Sequence, residues 1–339
     1  MRTSSSISQL YPEGDGRRSA RRVIACIDRS EHARKIVPHA FAVAKALDIP
    51  VILLQVLEAP PSTDFRLDPI EWNIRRQESR RALTRLADAG ASGVEAIDTE
   101  LVEGQTADEI CRRAGENSAD LIVLGTHGER GAGKYGLGST ARSVLERASG
   151  NVLLVPVATA TARVAHYRRI LVPVDGSSWS VSVLPLAVRL AQNVDAELIL
   201  VYVVPVPEFI ETSPLEAEDL ELRARVIDRN ERVARSYLNR VRARVADRGL
   251  KVQAVTLRGD DIRACLAKFI DSEHVDLVAL SARGHGHPRV SDVPYGNVAA
   301  YIMTHSPVPV LVARPTGLSG DIQTATRREA ARPSVRPAG

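Results

Sequence analysis

The chain repeats itself, and that feature constrains its fold more than any other. The segment RRVIACIDRSEHARKIVPHAFAVAKALDIPVILLQV is answered by RRILVPVDGSSWSVSVLPLAVRLAQNVDAELILVYV, in register without a gap from Asp28 and Asp175 through Ala44 and Ala191 to Val56 and Val203. Further on, ADLIVLGTHG matches VDLVALSARG, and GSTARSVLERASGNVLLVP matches GNVAAYIMTHSPVPVLVAR. Length changes fall between the matched blocks, where loops absorb them. Whatever one copy folds into, the other must fold into as well.

Each copy alternates short apolar runs with amphipathic stretches. Val23 to Ile27 and Ile170 to Val174 read as first strands. Ile36, Ala40, Val43 and Leu47, like Leu184, Ala187, Val188 and Ala191, recur at helical spacing. Val51 to Val56 and Leu198 to Val204 are second strands, followed by long charged helical stretches and by polar strands at Ala96 to Val102 and Val252 to Leu257. After another helix come Leu121 to Leu124 and Leu277 to Leu280, a glycine-rich loop, a helix, and last strands at Val152 to Val157 and Val308 to Val312. Strands too apolar to have a wet face, alternating with helices, mean a parallel sheet covered on both sides. The expected fold is α/β, with two tandem five-stranded parallel doubly wound, Rossmann-like domains. The expected division is a disordered tail over 1–20, a first domain over 21–157, a linker over 158–167, a second domain over 168–315 and a disordered tail over 316–339.

Composition narrows the function. The 339 residues allow two domains of roughly 150 each. Aromatics make up only 4% of the chain, so Val, Leu, Ile and Ala must pack the core. The net charge of +4 comes mainly from arginines in the tails and on helix faces, such as Arg75, Arg76, Arg80 and Arg81, without interleaved aromatics to stack on bases. A nucleic-acid partner is therefore not expected. Three cysteines without a CxxC pair suggest neither a disulfide framework nor a zinc site. No apolar run approaches ~18 residues and MRTSSSISQL has no apolar stretch, so a cytoplasmic protein without a membrane partner is expected.

In open α/β sheets ligands bind beyond the carboxyl ends of the strands, where strand order reverses. That rule selects Asp28, at the end of the first strand, and the loop GTHGERGAGKYGLGST after the fourth. Glycines there admit close approach, and Gly138, Ser139 and Thr140 open a helix whose N–H groups favour phosphate. Two residues separate Gly125 from Gly128, and nine separate Gly128 from Gly138-Ser139. This segment, with Asp28, Ser30 and Glu31 and with Gln55-Val56 ending the second strand, resembles the ATP-binding members of the universal stress protein family. The resemblance spans residues 21–157 and 168–315.

The resemblance implies ATP as ligand, with or without magnesium. It implies adenosine at Asp28 and Val56, ribose and phosphates at Gly125, His127 and Gly128, and phosphates at Gly138, Ser139 and Thr140. It also implies a stress-response regulator, commonly dimeric through the last strand, for which a protein client is expected. The apolar edges Val152 to Val157 and Val308 to Val312 are themselves expected to pair within one chain as an intramolecular pseudo-dimer, with a homodimer as a further option.

Other readings stand beside this one. GERGAGK would be a Walker A loop but for Tyr135, which stands where a magnesium-binding Ser or Thr is needed, and GAGKYG is a GxGxxG too far from its strand. Asp28 and Asp175 are also ordinary helix caps. His285 and His287 lack further ligands at metal spacing. No catalytic constellation is visible, so slow or absent hydrolysis is expected, with a magnesium-dependent ATP-using enzyme as the alternative. The second copy departs from the pattern at Ser281 and Asn297 and carries a longer loop, although Asp175 and Gly284 are retained. Only the first copy is expected to hold nucleotide, which would order the loop from Glu129 to Leu137.

Overall fold

The computed structural model describes residues 22–58, 68–90, 96–116, 121–128, 136–159, 165–206, 217–246, 249–282 and 295–314. Both terminal tails, most of the Glu129 to Leu137 loop and the second-copy loop with Gly284, His285 and His287 lie outside the described residues.

The first half runs β1 (Val23–Cys26), α1 (Ala33–Leu47), β2 (Val51–Leu57), α2 (Pro69–Gly90), β3 (Ile97–Glu103), α3 (Thr106–Gly115), β4 (Leu121–Gly125), α4 (Ser139–Arg147) and β5 (Asn151–Val155). The second repeats the order with β6 (Arg169–Pro173), α5 (Leu184–Val194), β7 (Glu197–Val204), α6 (Ala217–Ala246), β8 (Val252–Arg258), α7 (Ile262–Ser272), β9 (Leu277–Ser281), α8 (Asn297–His305) and β10 (Val310–Ala313). A single 3-10 turn, Ser180–Val183, precedes α5.

All ten strands form one sheet in the order β3-β2-β1-β4-β5-β10-β9-β6-β7-β8. Strands within each half are parallel, while β5 and β10 meet antiparallel with Leu311 opposite Leu153. The edges of both last strands are thereby paired, which removes two exposed apolar templates.

Alternation along the strands divides the core into two layers. Val23, Ala25, Ile170 and Val172 pack toward α1, α2, α5 and α6, whereas Ile24, Val152, Leu171 and Val312 pack toward α3, α4, α7 and α8. Each layer contains residues of both halves, so each hydrophobic layer is continuous across the two halves.

The duplication reaches the caps: α1 ends at Asp48 and α5 at Asp195, both left-handed, with φ of 53° and 51°. Aspartate tolerates that conformation better than most side chains. Its residues stop both helices at the same place.

The halves also meet through α1 and α5. Arg189 and Asn193 of α5 donate to the carbonyls of Leu47 and Ala46, acceptors that the end of α1 leaves without helical partners. The stretch read as a linker ends inside the protein: Tyr167 is buried, and its hydroxyl shares a hydrogen bond with His39 Nδ1 at 2.9 Å.

Candidate functional site

At the carboxyl ends of β1, β2 and β4 lies a cleft of about 810 Å³. Asp28, Val56, Gly125, His127, Gly128, Gly138, Ser139 and Thr140 all line it. The volume falls in the range of ordinary small-ligand sites, roughly 300–1,000 Å³.

Asp28 first of all builds its own turn. Its Oδ1 accepts the Ser30 amide at 3.0 Å and the Ser30 hydroxyl at 2.5 Å. Asp175 does the same with Ser177, at 2.9 and 2.6 Å. Neither aspartate caps its helix directly; His32 holds the N-cap position of α1 and makes no side-chain cap bond. Turn building is thus common to both halves, and it is the surroundings of Oδ2 that distinguish Asp28. A Cβ on Gly128 would lie 2.9 Å from that oxygen, so glycine at 128 is what lets the carboxylate lie against the loop.

Gly125 has a second reason to be glycine besides access to the cleft. A Cβ there would lie 2.5 Å from His32 Cδ2 and 2.8 Å from Nε2. His32 is buried, its Nε2–H donates to the Val155 carbonyl at 3.1 Å, and its Nδ1 has no hydrogen-bond partner among the described residues. Burial pushes the imidazole below the usual histidine range, although the Val155 bond opposes this. The ring is therefore a neutral wedge behind the cleft.

The Gly138 amide, expected among the phosphate donors, is engaged elsewhere. It donates to the Thr126 carbonyl at 2.8 Å, and Gly296 repeats this with Ala282 at 3.2 Å. Gly138 instead fixes the start of α4 as its N-cap, with no side-chain bond at that cap. The next amides, of Ser139, Thr140 and Ala141, belong to the first helical turn and have no acceptor within the helix. They form the positive end of the helix dipole, where an anion is favoured. The loop's last turn is held by the other half: Gly136, at φ 100°, donates to the Thr304 carbonyl of α8 at 3.0 Å.

Several cleft residues lie outside the motif. Cys26 is on the floor, and burial, then the nearby Cys111, pushes its thiol far above the usual range, so it is not a nucleophile. Glu58 accepts the Thr106 amide at 2.9 Å and so stands in for a cap on α3. Trp72 and Arg75 of α2 close the β2–β3 side. Nothing in the charged α2 segment distinguishes these two from solvated residues; proximity to the cleft follows from the docking of α2.

His127 stands beside the cleft with Nδ1 at 3.3 Å from the Thr126 hydroxyl. Arg130, Lys134 and Tyr135 lie outside the described residues. Among the described residues no group of three or more His, Cys, Asp or Glu is arranged to hold a metal ion, and no helix is long and apolar enough to cross a membrane.

Two stretches of the chain, residues 19–156 and 166–314, match the model of the universal stress protein family. Universal stress protein MJ0531 of Methanocaldococcus jannaschii is 29% identical over 145 residues, which cover 42% of this chain and 85% of that protein. A universal stress protein of Thermus aquaticus is 31% identical over 134 residues, 39% of this chain and 96% of that one. Among solved structures, a universal stress protein from Archaeoglobus fulgidus superposes with a TM-score of 0.62 at 16% identity, covering 87% of this chain and 97% of its own. A functionally unknown protein from Pseudomonas aeruginosa gives 0.56 at 16% identity, covering 92% and 98%. At such identities the superpositions speak for the fold.

Proposed function

Because the chain belongs to the universal stress protein family, we propose that it is an ATP-binding stress-response regulator whose first half holds the nucleotide and hydrolyses it slowly or not at all. The observation that carries this reading is the cleft, which runs from Asp28 and Val56 to the uncapped first turn of α4. Its two ends differ as the two ends of a nucleotide do. One end offers a carboxylate acceptor and strand-end backbone, suited to the sugar and base. The other offers helix amides and glycine backbone, suited to phosphates.

The residues fit the ligand in a further respect: with glycine at 128 the loop puts no side chain against the Asp28 carboxylate. ATP would be held by Ser139, Thr140 and Ala141 at its phosphates and by Asp28 and Val56 at its adenosine. A bound triphosphate would supply a charge that the loop before Gly138 can answer, and a protein client would read the loop in that state. Magnesium, if it accompanies ATP, would be held mainly by phosphate oxygens, as is usual for that ion. The pairing of β5 with β10 gives each chain two halves back to back, and a homodimer of such chains is a further option. A cytoplasmic location agrees with this reading.

Titration calorimetry with ATP checks it. The expected result is saturable binding that Gly128→Val abolishes, since the added side chain meets Asp28 Oδ2, while the variant's melting temperature stays within a few degrees of the parent. ATP consumption that scales with protein and requires magnesium would favour an ATP-using enzyme instead.

A further inference from the structure

The second half is an internal control for what the fold itself requires. In the first half Arg76 of α2 donates from Nε and Nη2 to Glu103 Oε1, at 2.9 and 2.5 Å, tying the helix to the end of β3. In the second half Arg258, at the end of β8, donates from Nε at 2.7 Å to Glu231 Oε1 of α6, with Nη2 at 2.5 Å from the same oxygen. The partners are 27 residues apart in both cases. Glu103 and Arg258 occupy the same strand position, opposite Leu57 and Val204. The same bridge is made with its charges exchanged.

The core confirms the register, because Leu83 and Leu238 then coincide, each 1% exposed, as do the buried Ser79 and Ala234. Docking of this helix on the sheet therefore needs an opposite-charge pair and a buried stripe.

What the first half carries beyond that need faces the cleft. Trp72 and Arg75 line it, and the corresponding residues of α6 are Ile227 and Asn230. Ile227 is buried, so an aliphatic side chain suffices to cover the sheet at this position. Trp72 is half-buried, and its indole N–H is engaged by Glu103 Oε2 at 3.3 Å. That bond engages the polar edge of a ring that lines the cleft. Asp68 accepts the Ile70 amide at 2.8 Å, with Pro69 as the first helical residue, so the turn bearing Trp72 is itself well defined. Arg29, next to Asp28, reaches Glu78 of α2 at 3.8 Å, whereas Gly176 and Val233 stand at those places in the second half.

We propose that Trp72, with Arg75 beside it, is the base-recognition wall of the first-half site, stacking on the flat heteroaromatic base of the bound nucleotide. The inference rests on the ATP reading given above. Trp72 lies on the β2–β3 side of the cleft, away from the α4 amides, which assigns it to the base and not to the phosphates. A planar π system favours any nucleobase, and the guanidinium of Arg75 adds a planar cation at the same wall.

The chain has two tryptophans, so Trp179→Phe leaves Trp72 as the sole indole. In that chain ATP is expected to change the Trp72 emission saturably, at the concentrations where calorimetry records binding. Trp72→Ile installs the residue that the second half carries at the same docked position, and it is expected to weaken ATP binding by roughly 5- to 150-fold. Binding of inorganic tripolyphosphate, which has no base, is expected to be unchanged by it. Three results would overturn the proposal while leaving the ATP reading intact: emission that stays constant through a titration in which ATP binds, ATP affinity in Trp72→Ile equal to the parent's, or equal weakening of ATP and tripolyphosphate. Failure of the parent chain to bind ATP would remove both.

Discussion

His32 and Gly125 form a pair that neither residue announces. They come from different elements, and only the fold shows that an imidazole occupies the space a side chain at 125 would take. Gly125→Ala is therefore expected to destabilise the protein by about 1–3 kcal/mol through overpacking, measured by denaturant unfolding. Combined with His32→Ser, the loss should be smaller than the sum of the single losses, because the clash then disappears. Additive losses would place the strain elsewhere. The glycine spacing and the aspartate were legible in the sequence because loop backbone conformation and strand-end position leave compositional marks. The engagement of the Gly138 amide is not legible, because its bond to the Thr126 carbonyl is a backbone contact that no side chain records.

Helix α2 reads in the sequence as a run of charges, and its length and existence follow from that run. The face it turns to the cleft does not, because a half-buried Trp72 among arginines has no distinctive period. The bridge to β3 makes the element's docking testable. Arg76→Glu alone would bring two carboxylates together and is expected to lower stability by about 0.5–1 kcal/mol, given that the pair is partly exposed. The double exchange Arg76→Glu with Glu103→Arg reproduces the arrangement of Glu231 and Arg258, and chemical denaturation should show most of the loss restored. The strands, by contrast, were legible nearly to the residue, since runs such as Val51 to Val56 are apolar on both faces only when helices cover both sides. The last strand of the first half stops at Val155, short of the expected Val157, because Pro156 has no amide for the ladder.

At the scale of the whole molecule, the repeat fixes two copies of one unit, and the seam between them is made by β5 with β10 and by α1 with α5. His39 and Tyr167 lie in that seam, stacked with centroids 5.8 Å apart. Burial, with a smaller contribution from the neighbouring His32, pushes His39 down to about 4, and burial pushes the Tyr167 hydroxyl up, so both groups of the pair stay neutral. A neutral-favouring site is fully stabilising above the ordinary histidine value of ~6.5, and its contribution is lost as pH falls from there toward 4. The folded protein is expected to lose on the order of 1–2 kcal/mol from this site by pH 5. His39→Leu with Tyr167→Phe, which places at 39 the leucine found at 186, should flatten that loss in melts at pH 7 and pH 5.

The same duplication offers the most direct test of nucleotide binding by the first half alone. Asp28 and Asp175 make the same turn bonds, so Asp28→Ala and Asp175→Ala should lower the melting temperature alike. Calorimetric titration of the two variants with ATP should then separate them. One site per chain is expected in the parent and in Asp175→Ala, and none in Asp28→Ala. Two sites in the parent, or binding lost in Asp175→Ala and kept in Asp28→Ala, would rule out a nucleotide site confined to the first half.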